Sequence, residues 1–302
     1  MVLSDSFCRT VRAAFVGGGE WLERLPALIA DFERRWGVRI GRIFPLSYNF
    51  VAAATAHDGT EYILKLGVPR AELQREITAL QLYAGRGIAN LIASDAAQGA
   101  LLLERLRPGS MLDSVTDPDQ AAQIGARVMA ALWQPLPAVH PFRSVREWAN
   151  GLQRLRVMFD GGTGPLPEAV VDSAENIFHD LFTSAADPVL LHGDLHHYNI
   201  LSSQRGNGWL AIDPKGMAGE RAYETGTFIR NHLTLYAKNH NRTTLLDHCI
   251  AIFAEQLNLD RQRIRQQAFA QAVLSAWWSI EDGVTGWETA IEVVEIIENG
   301  GK

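Results

Sequence analysis

The side chains with the most reactive potential lie in one short polar segment, His192–Asn199, which reads HGDLHHYN and follows an apolar run. A second apolar run ends at Asp213. Phosphoryl transfer requires a carboxylate that orients the acceptor hydroxyl and takes its proton, together with an amide oxygen and a second carboxylate that hold Mg²⁺. Asp194, Asn199 and Asp213 supply these groups in that order. The spacing therefore predicts a phosphoryl-transfer site on loops at strand ends.

Two other interpretations of this segment are open from its residues alone. His192, His196 and His197 could ligate a metal, although the chain has neither an H-E-x-x-H motif nor a cysteine beside them. Alternatively, the Asp and Asn side chains could stabilise a polar turn through hydrogen bonds to the backbone. A lysine and a hydrophobic strand earlier in the chain favour phosphoryl transfer over both.

The lysine is Lys65, which lies in an otherwise apolar, strand-like run. A lone strand lysine is usually a solvated edge residue. The helix predicted to follow carries Glu72 and Glu76, however. A strand lysine that pairs with a helix glutamate and contacts the α- and β-phosphates is the usual kinase arrangement. Glu76 is the expected partner because Ile77 beside it marks the buried helix face, and Glu72 is the fallback.

The hydrophobic run Leu101–Leu106 leads into a Pro-Gly pair. A strand that exits at a hinge leaves backbone groups free to bond the edge of an adenine ring. We therefore expect Glu104 and Leu106 to contact a nucleotide.

The segment Leu46–Phe50 occupies the place of a phosphate-binding loop but contains no glycine. Backbone amides near Ser47 and Asn49 could still cradle phosphate, so both residues are predicted to bind the nucleotide. Tyr48 and Phe50 are expected to narrow the approach.

The elements that must position these groups change character along the chain. Short β-rich runs dominate Val38–Leu66, and His57–Gly59 between two of them predicts a hairpin. After Gly109 the chain becomes mostly helical. We therefore expect an α+β fold of two lobes, with a small β-rich nucleotide-binding lobe at 1–106 and a larger helical catalytic and acceptor-binding lobe at 107–302. A ligand site is expected where they join.

Residues 192–199 match the H-R-D-L-x-x-x-N loop of kinases, except that Gly193 replaces the Arg. The order and spacing of the motifs resemble the aminoglycoside phosphotransferases, and more narrowly the aminoglycoside/hydroxyurea resistance kinases. The resemblance spans roughly residues 40–290. Its motifs are HGDLHHYNIL at 192–201, AIDPKG at 211–216 and WSIEDG at 278–283, with weaker ones at 76–80 and 102–109.

This resemblance implies a protein-kinase-like fold, ATP as donor, Mg²⁺ as cofactor and a small-molecule hydroxyl as acceptor. It implies Asp194 as the base, Asn199 and Asp213 as the Mg²⁺ ligands, and Lys65 as the phosphate-binding lysine. A streptomycin-like aminoglycoside is the leading acceptor, with another hydroxyl metabolite or a hydroxyurea-like compound as the alternative. A catalytically inactive binding protein of the same fold is disfavoured because all four side chains are present.

The end of the helix predicted to begin near Arg261 suggests where the acceptor binds. Glu281 and Asp282 stand there, although carboxylates at a helix C-terminus oppose its dipole at a cost of about 0.3–1 kcal/mol each. Trp277 and Trp278 beside them offer aromatic faces to a cation or a sugar ring. We therefore expect Glu281, Asp282 and Trp278 to bind a positively charged acceptor.

Composition limits the partners. The chain of 302 residues has 34 acidic and 28 basic side chains and a net charge of -6, which argues against nucleic-acid binding. No apolar stretch approaches the length of about 18 residues that spans a bilayer, so no membrane segment is expected. Cys8 and Cys249 are too few for a disulfide framework. We expect a cytoplasmic enzyme.

Overall fold

The computed structural model describes residues 3–300. The chain divides into two compact units, of which the first ends at Gly109 and the second begins at Ser110. A β-sheet with three helices forms the first unit, and helices dominate the second. This is the α+β organisation that the sequence predicts.

The first unit is built on one antiparallel sheet with strand order β1-β2-β3-β5-β4. Its strands are β1 (Val38–Ile43), β2 (Phe50–Ala56), β3 (Glu61–Leu66), β4 (Leu91–Asp95) and β5 (Ala100–Glu104). Its helices are α1 (Asp5–Ala14), α2 (Gly18–Trp36) and α3 (Ala71–Tyr83). Because β3 is the central strand, its side chains are flanked by strands on both sides.

The predicted hairpin joins β2 to β3. Gly59 has a φ of +87°, and Thr60 N donates a hydrogen bond to Asp58 Oδ1 at 2.9 Å, which closes the turn. This turn sets a register in which Phe50 is opposite Leu66. Alternate residues of both strands are buried against α2. Each large apolar side chain so buried contributes about 1.5–3 kcal/mol. The hairpin is confirmed.

The second unit has eight α-helices among its described residues. They are α4 (Pro118–Leu132), α5 (Val145–Ala149), α6 (Gly151–Met158), α7 (Glu168–Thr183), α8 (Tyr223–Tyr236), α9 (Arg242–Leu257), α10 (Arg261–Glu281) and α11 (Trp287–Asn299). The remaining strands are β6 (Pro108–Met111), β7 (Gln134–Pro135), β8 (Arg143–Ser144), β9 (Val189–Leu191), β10 (Ile200–Ser203), β11 (Trp209–Ala211) and β12 (Met217–Gly219). These short strands form two small sheets, β11-β10-β6 and β7-β9-β12-β8.

Helices α8 and α10 are joined by a polar seam on α10. Gln267, Gln271 and Ser275 recur every four residues, so they lie on one face of the helix. Gln271 Nε2 donates to the Tyr223 carbonyl at 2.7 Å, and Arg230 Nη1 donates to Ser275 Oγ at 2.6 Å. These bonds fix the register of α8 against α10.

Within residues 3–300, no helix combines the length and the apolar character that a bilayer crossing requires.

Candidate active site

Asp194 lies on a loop whose path depends on the preceding glycine. Gly193 has a φ of +81°, in the left-handed region that favours glycine. A Cβ at this position would lie 2.7 Å from Cγ and Sδ of Met217. The Arg of protein kinases would therefore be both strained and crowded here. Gly193 sets the direction in which the chain enters Asp194.

Glu224, in the first turn of α8, anchors the same loop. Its carboxylate accepts hydrogen bonds from the backbone N–H groups of His192 and Gly193, at 2.7 and 3.0 Å. Glu224 is 1% exposed, and burial raises its pKa to about 7 although the two N–H donors act to lower it. Sequence reasoning missed this residue. It lies in the buried run Ala222–Ile229, but that burial becomes visible only in the structure.

The imidazole of His192 ties the loop to the segment that carries Asp213. Its Nε2 lies 2.7 Å from the Ile212 carbonyl oxygen, and its Nδ1 accepts from Asp194 N at 3.2 Å. This pattern requires the tautomer protonated at Nε2. Burial lowers the pKa of His192 to about 4, so the ring is neutral near pH 7. His192 is thus a neutral brace for the backbone of Asp194.

The Asp194 carboxylate is 28% exposed and stands beside one cation. Lys215 Nζ lies 3.2 Å from Asp194 Oδ2, and His196 Nε2 lies 3.8 Å from Oδ1. Burial raises the pKa of Asp194, but the ammonium of Lys215, with His196 and His192, lowers it by more. The carboxylate is therefore ionised at neutral pH. It can accept a hydrogen bond from a hydroxyl group.

Asn199 and Asp213 are brought together by the pairing of β10 with β11. Ile200 is opposite Ala211, and Ile212 N donates to the Asn199 carbonyl at 2.9 Å. Asp213 then follows immediately, with a φ of +57°. The left-handed region costs a non-glycine residue about 1–2 kcal/mol, and Asp is among the residues that tolerate it. The two predicted ligands therefore flank one end of this ladder.

The oxygen donors of these two residues are of the type that Mg²⁺ prefers. Asn199 Nδ2 donates to the Asp194 carbonyl at 2.9 Å, so the amide oxygen is the atom able to ligate a cation. Mg²⁺ is usually held by one or two carboxylates together with phosphates and waters. Among residues 3–300, no three His, Cys, Asp or Glu side chains are grouped to hold a metal. That result disfavours the alternative in which three histidines bind one.

In the first unit, the predicted pair between Lys65 and Glu76 is confirmed. Lys65 Nζ lies 2.7 Å from Glu76 Oε1, and the two side chains are 4% and 9% exposed. Glu72, the fallback, instead pairs with Arg70 Nε at 3.0 Å and is exposed. The apolar neighbours of Glu76 identified the buried face of α3 correctly.

The glycine-free loop before β2 is braced by aromatic contacts. Tyr48 meets Phe15 edge-on, with ring centroids 6.0 Å apart. The guanidinium of Arg70 also lies over the Phe15 ring, with Cζ 4.5 Å from the ring centroid. Phe50 is fully buried in the sheet core, so the expectation that it narrows the approach to the loop is wrong. Phe50 begins β2, where the side-chain alternation directs it inward.

The end of β5 is held by Asn90. Glu104 Oε2 accepts from both Asn90 N and Asn90 Nδ2, each at 2.9 Å, and Glu104 N donates to the Asn90 carbonyl at 2.9 Å. Leu106 is buried at 7% exposure. The N–H of Glu104 is therefore engaged within the unit, and an adenine contact at this residue would have to use another atom.

Comparison with known families identifies the chain. The profile of the aminoglycoside/hydroxyurea antibiotic resistance kinases matches residues 42–283. The chain belongs to this family. A hydroxyurea phosphotransferase from Kitasatospora aureofaciens is 32% identical over 299 residues, covering 95% of this chain and 83% of the relative. A streptomycin 6-kinase from Streptomyces glaucescens is 28% identical over 284 residues, covering 90% of this chain and 89% of the relative.

A solved kinase structure shares the fold of this chain. An amicoumacin kinase solved with AMP-PNP and Ca²⁺ matches with a TM-score of 0.63 at 14% identity, covering 93% of this chain and 94% of that one. Identity this low establishes the fold alone. The predicted protein-kinase-like α+β fold is confirmed, and membership of the family makes the protein a phosphotransferase.

Two of the residues predicted to bind the acceptor substrate, Glu281 and Asp282, differ in whether they have an ion-pair partner and in exposure. Glu281 forms a bidentate pair with Arg154, whose Nε and Nη2 lie 2.6 and 2.9 Å from its two carboxylate oxygens. The cost of a carboxylate at the end of α10 is therefore offset by its pair with Arg154. Asp282, which caps the helix, is exposed.

Trp278 is linked to Asp194 through a second tryptophan. It packs edge-on against Trp148, with ring centroids 5.4 Å apart and an interplanar angle of 66°. Lys215 Nζ lies 5.4 Å from the Trp148 centroid and also contacts Asp194. Both tryptophans are partly exposed. Trp148 was not predicted from the sequence, because no motif marks it.

Arg230 was also missed. Arg230 lies on α8 and donates to Ser275 on α10, and the nearby Asp194 carboxylate influences its pKa. Burial lowers the pKa of Arg230, whereas Asp194 and Tyr223 act to raise it. Arg230 is therefore a second basic group near Asp194, in addition to Lys215.

Proposed function

We propose that this kinase transfers the γ-phosphoryl group of ATP to a hydroxyl of a small molecule, with Asp194 as the base. The observation that carries this proposal is the anchoring of the Asp194 loop. Glu224 and the neutral His192 hold its backbone, and the β10–β11 ladder presents Asn199 and Asp213 beside it. Catalysis of phosphoryl transfer depends mainly on such positioning.

In this mechanism the ionised Asp194 accepts a hydrogen bond from the acceptor hydroxyl and orients it toward the phosphorus. The hydroxyl proton passes to an Asp194 oxygen as the new bond forms. The low pKa of Asp194 makes it a weak base, so orientation contributes more than early proton removal. The His192 brace keeps the carboxylate aimed throughout.

Mg²⁺ would be held by the amide oxygen of Asn199 and the carboxylate of Asp213. When bound, it neutralises negative charge on the phosphates. The chain contributes ligand placement, since the amide nitrogen of Asn199 is already committed to the Asp194 carbonyl. That bond also couples the ligand to the base.

The nucleotide would be bound by residues of the first unit. Lys65, held by Glu76, is proposed to contact the α- and β-phosphates. Backbone amides near Ser47 and Asn49, in the loop before β2, would bind the phosphates. The segment at Glu104 and Leu106 would contact the adenine. The buried Lys65–Glu76 pair supports this role because a lysine so placed has a fixed direction.

For the acceptor, a streptomycin-like aminoglycoside remains the leading candidate because a streptomycin kinase is related along most of the chain. Trp278 and the exposed Asp282 could contact such a substrate. A second candidate is a small neutral hydroxyl compound such as hydroxyurea. The bidentate Arg154–Glu281 pair favours it, since this carboxylate is already neutralised. The hydroxyurea phosphotransferase relative supports the same choice.

The test compares the wild type with Asp194→Asn, using ATP, Mg²⁺ and either streptomycin or hydroxyurea. We expect the wild type to release ADP with one acceptor and the variant to lose about 10²–10⁴-fold in kcat. Binding of MgADP, measured by calorimetry, should be retained because Lys65 and Asp213 are unchanged. Equal turnover by the variant would overturn the assignment of the base. Turnover of neither acceptor by the wild type would overturn the substrate proposal.

A further inference from the structure

The motif Asp213–Gly216 contains a lysine whose role the proposed function leaves unassigned. Lys215 extends its ammonium to within 3.2 Å of Asp194 Oδ2. The same Nζ lies 5.4 Å from the ring centroid of Trp148, in cation–π range. A positive charge therefore stands directly beside the carboxylate that must accept the hydroxyl proton.

The backbone builds this juxtaposition. Lys215 N and Gly216 N both donate to the His192 carbonyl, at 2.8 and 3.2 Å. Gly216 has a φ of +66°, which lets the chain turn toward β12 immediately afterwards. Because the His192 ring also accepts from Asp194 N, the lysine and the base are tied to one residue. The fold therefore places the backbone of Lys215 beside the Asp194 loop, within reach of its side chain.

A permanent pair between Lys215 and Asp194 would oppose proton transfer, because the ammonium stabilises the carboxylate without its proton. The lysine side chain is 44% exposed, however, and ion pairs at such sites are weak. The ammonium has three N–H donors, and the face of Trp148 can hold it close while it changes partners. It is well placed to leave Asp194 for a stronger anion that arrives at the same spot.

Other basic side chains near Asp194 are less available for that task. His196 Nε2 lies 3.8 Å from the carboxylate, beyond hydrogen-bond range. Arg230 donates to Ser275 at 2.6 Å. Among the side chains of residues 3–300 with an ion-pair contact to Asp194, Lys215 is the one at hydrogen-bond distance.

We propose that Lys215 is a catalytic residue whose ammonium binds the phosphoryl group during its transfer. This inference rests on the proposed function. The acceptor oxygen bonds to phosphorus, the bond from phosphorus to the leaving oxygen of ADP breaks, and the hydroxyl proton goes to Asp194. Lys215 keeps its protons and moves from the carboxylate to the oxygens of the transferring group. It thereby offsets the negative charge that accumulates beside Asp194.

The experiment compares Lys215→Met, Lys215→Arg and the matched control Lys238→Met with the wild type. Lys238 is exposed just after the end of α8. Initial rates give kcat and the KM values for ATP and acceptor, and calorimetry gives the Kd of MgADP with and without aluminium fluoride, which mimics the transferring phosphoryl group. Circular dichroism checks that each variant is folded.

We expect Lys215→Met to lower kcat by about 10²–10³-fold, the range for loss of one transition-state donor. Its Kd for MgADP should stay within about threefold of the wild type, while the tightening by aluminium fluoride should be lost. Lys215→Arg should recover part of kcat because the charge is retained. Lys238→Met should match the wild type in every measurement.

A kcat of Lys215→Met within about threefold of the wild type would overturn the proposal, as would a defect confined to the acceptor KM. The fluoride measurement needs no acceptor, so it decides the role of Lys215 even if the proposed acceptors are wrong. Equal tightening in the wild type and Lys215→Met would overturn it, and so would no tightening in the wild type. Failure of the wild type to phosphorylate any acceptor would contradict the proposed function separately.

Discussion

Replacing Glu224 by Gln should remove a large pH dependence from the stability of this kinase. Burial raises the pKa of Glu224 from 4.5 to about 7, so the folded protein holds this proton more tightly than the unfolded chain. At about 1.4 kcal/mol per pKa unit, the difference corresponds to about 3 kcal/mol. That stability is fully present below pH 4.5 and is lost as the pH rises through about 7. No discount for solvent screening applies, because the side chain is 1% exposed.

The measurement is the free energy of unfolding of wild type and Glu224→Gln in urea at pH 5, 6, 7 and 8, followed by tryptophan fluorescence. Relative to the variant, the wild type should lose about 2–3 kcal/mol between pH 5 and pH 8, because Gln mimics the protonated acid at every pH. The exposed Glu288→Gln is the control and should parallel the wild type. Parallel curves for wild type and Glu224→Gln would refute the reasoning.

The same substitution should reduce activity above about pH 7, where the wild-type side chain is a carboxylate and not the protonated acid that Gln mimics. A glutamine offers one acceptor oxygen where the carboxylate offers two, so either His192 N or Gly193 N would face an amide NH₂ group. The loop must then shift, and a displacement of about 1 Å near a reacting group can cost about 10²-fold in rate. A lower kcat together with a flatter pH profile of stability would identify Glu224 as a residue that positions Asp194. An unchanged kcat would contradict that role.

Two further predictions concern the packing around the site. Lys65→Met should cost about 3–5 kcal/mol of unfolding free energy because it leaves the buried Glu76 carboxylate without its lysine. The double variant Lys65→Met/Glu76→Leu should regain part of that loss. Equal stabilities of the wild type and Lys65→Met in urea titrations would contradict this prediction. Gly193→Ala should cost about 1–3 kcal/mol through crowding against Met217, in addition to its unfavourable φ. The double variant with Met217→Ala should show a coupling energy in the same titration, and strict additivity would exclude the contact as the cause.

Features encoded by neighbours in the chain could be predicted from the sequence. The hairpin between β2 and β3 follows from an Asp-Gly turn between apolar runs, and both parts are local. The choice of Glu76 over Glu72 followed from helical periodicity, because the apolar residues beside Glu76 marked the face that α3 buries. The order of Asp194, Asn199 and Asp213 likewise needed only a motif and its spacing.

Features that depend on distant parts of the chain could not be predicted. Glu224 reaches the Asp194 loop from another element, and no spacing rule connects a helix N-terminus to backbone groups 31 and 32 residues earlier. Arg154 neutralises Glu281 across 127 residues of sequence. Because of that pair, the unfavourable position of the Glu281 carboxylate at a helix C-terminus is compensated within the protein. Phe50 was misjudged because strand alternation, and not its place beside a loop, decides where its side chain lies.

The short connection after Asp213 has a consequence for control of the enzyme. β12 begins at Met217, directly after the Asp213–Gly216 turn, and pairs with β9 in the register Met217 opposite Leu191. In protein kinases the corresponding stretch is a long segment that phosphorylation orders by pairing with Arg. Here that stretch is part of a sheet, and Gly193 replaces the Arg. Among the described residues, backbone pairing of β12 with β9 orders this stretch, without the phosphate–arginine pair that orders it in protein kinases.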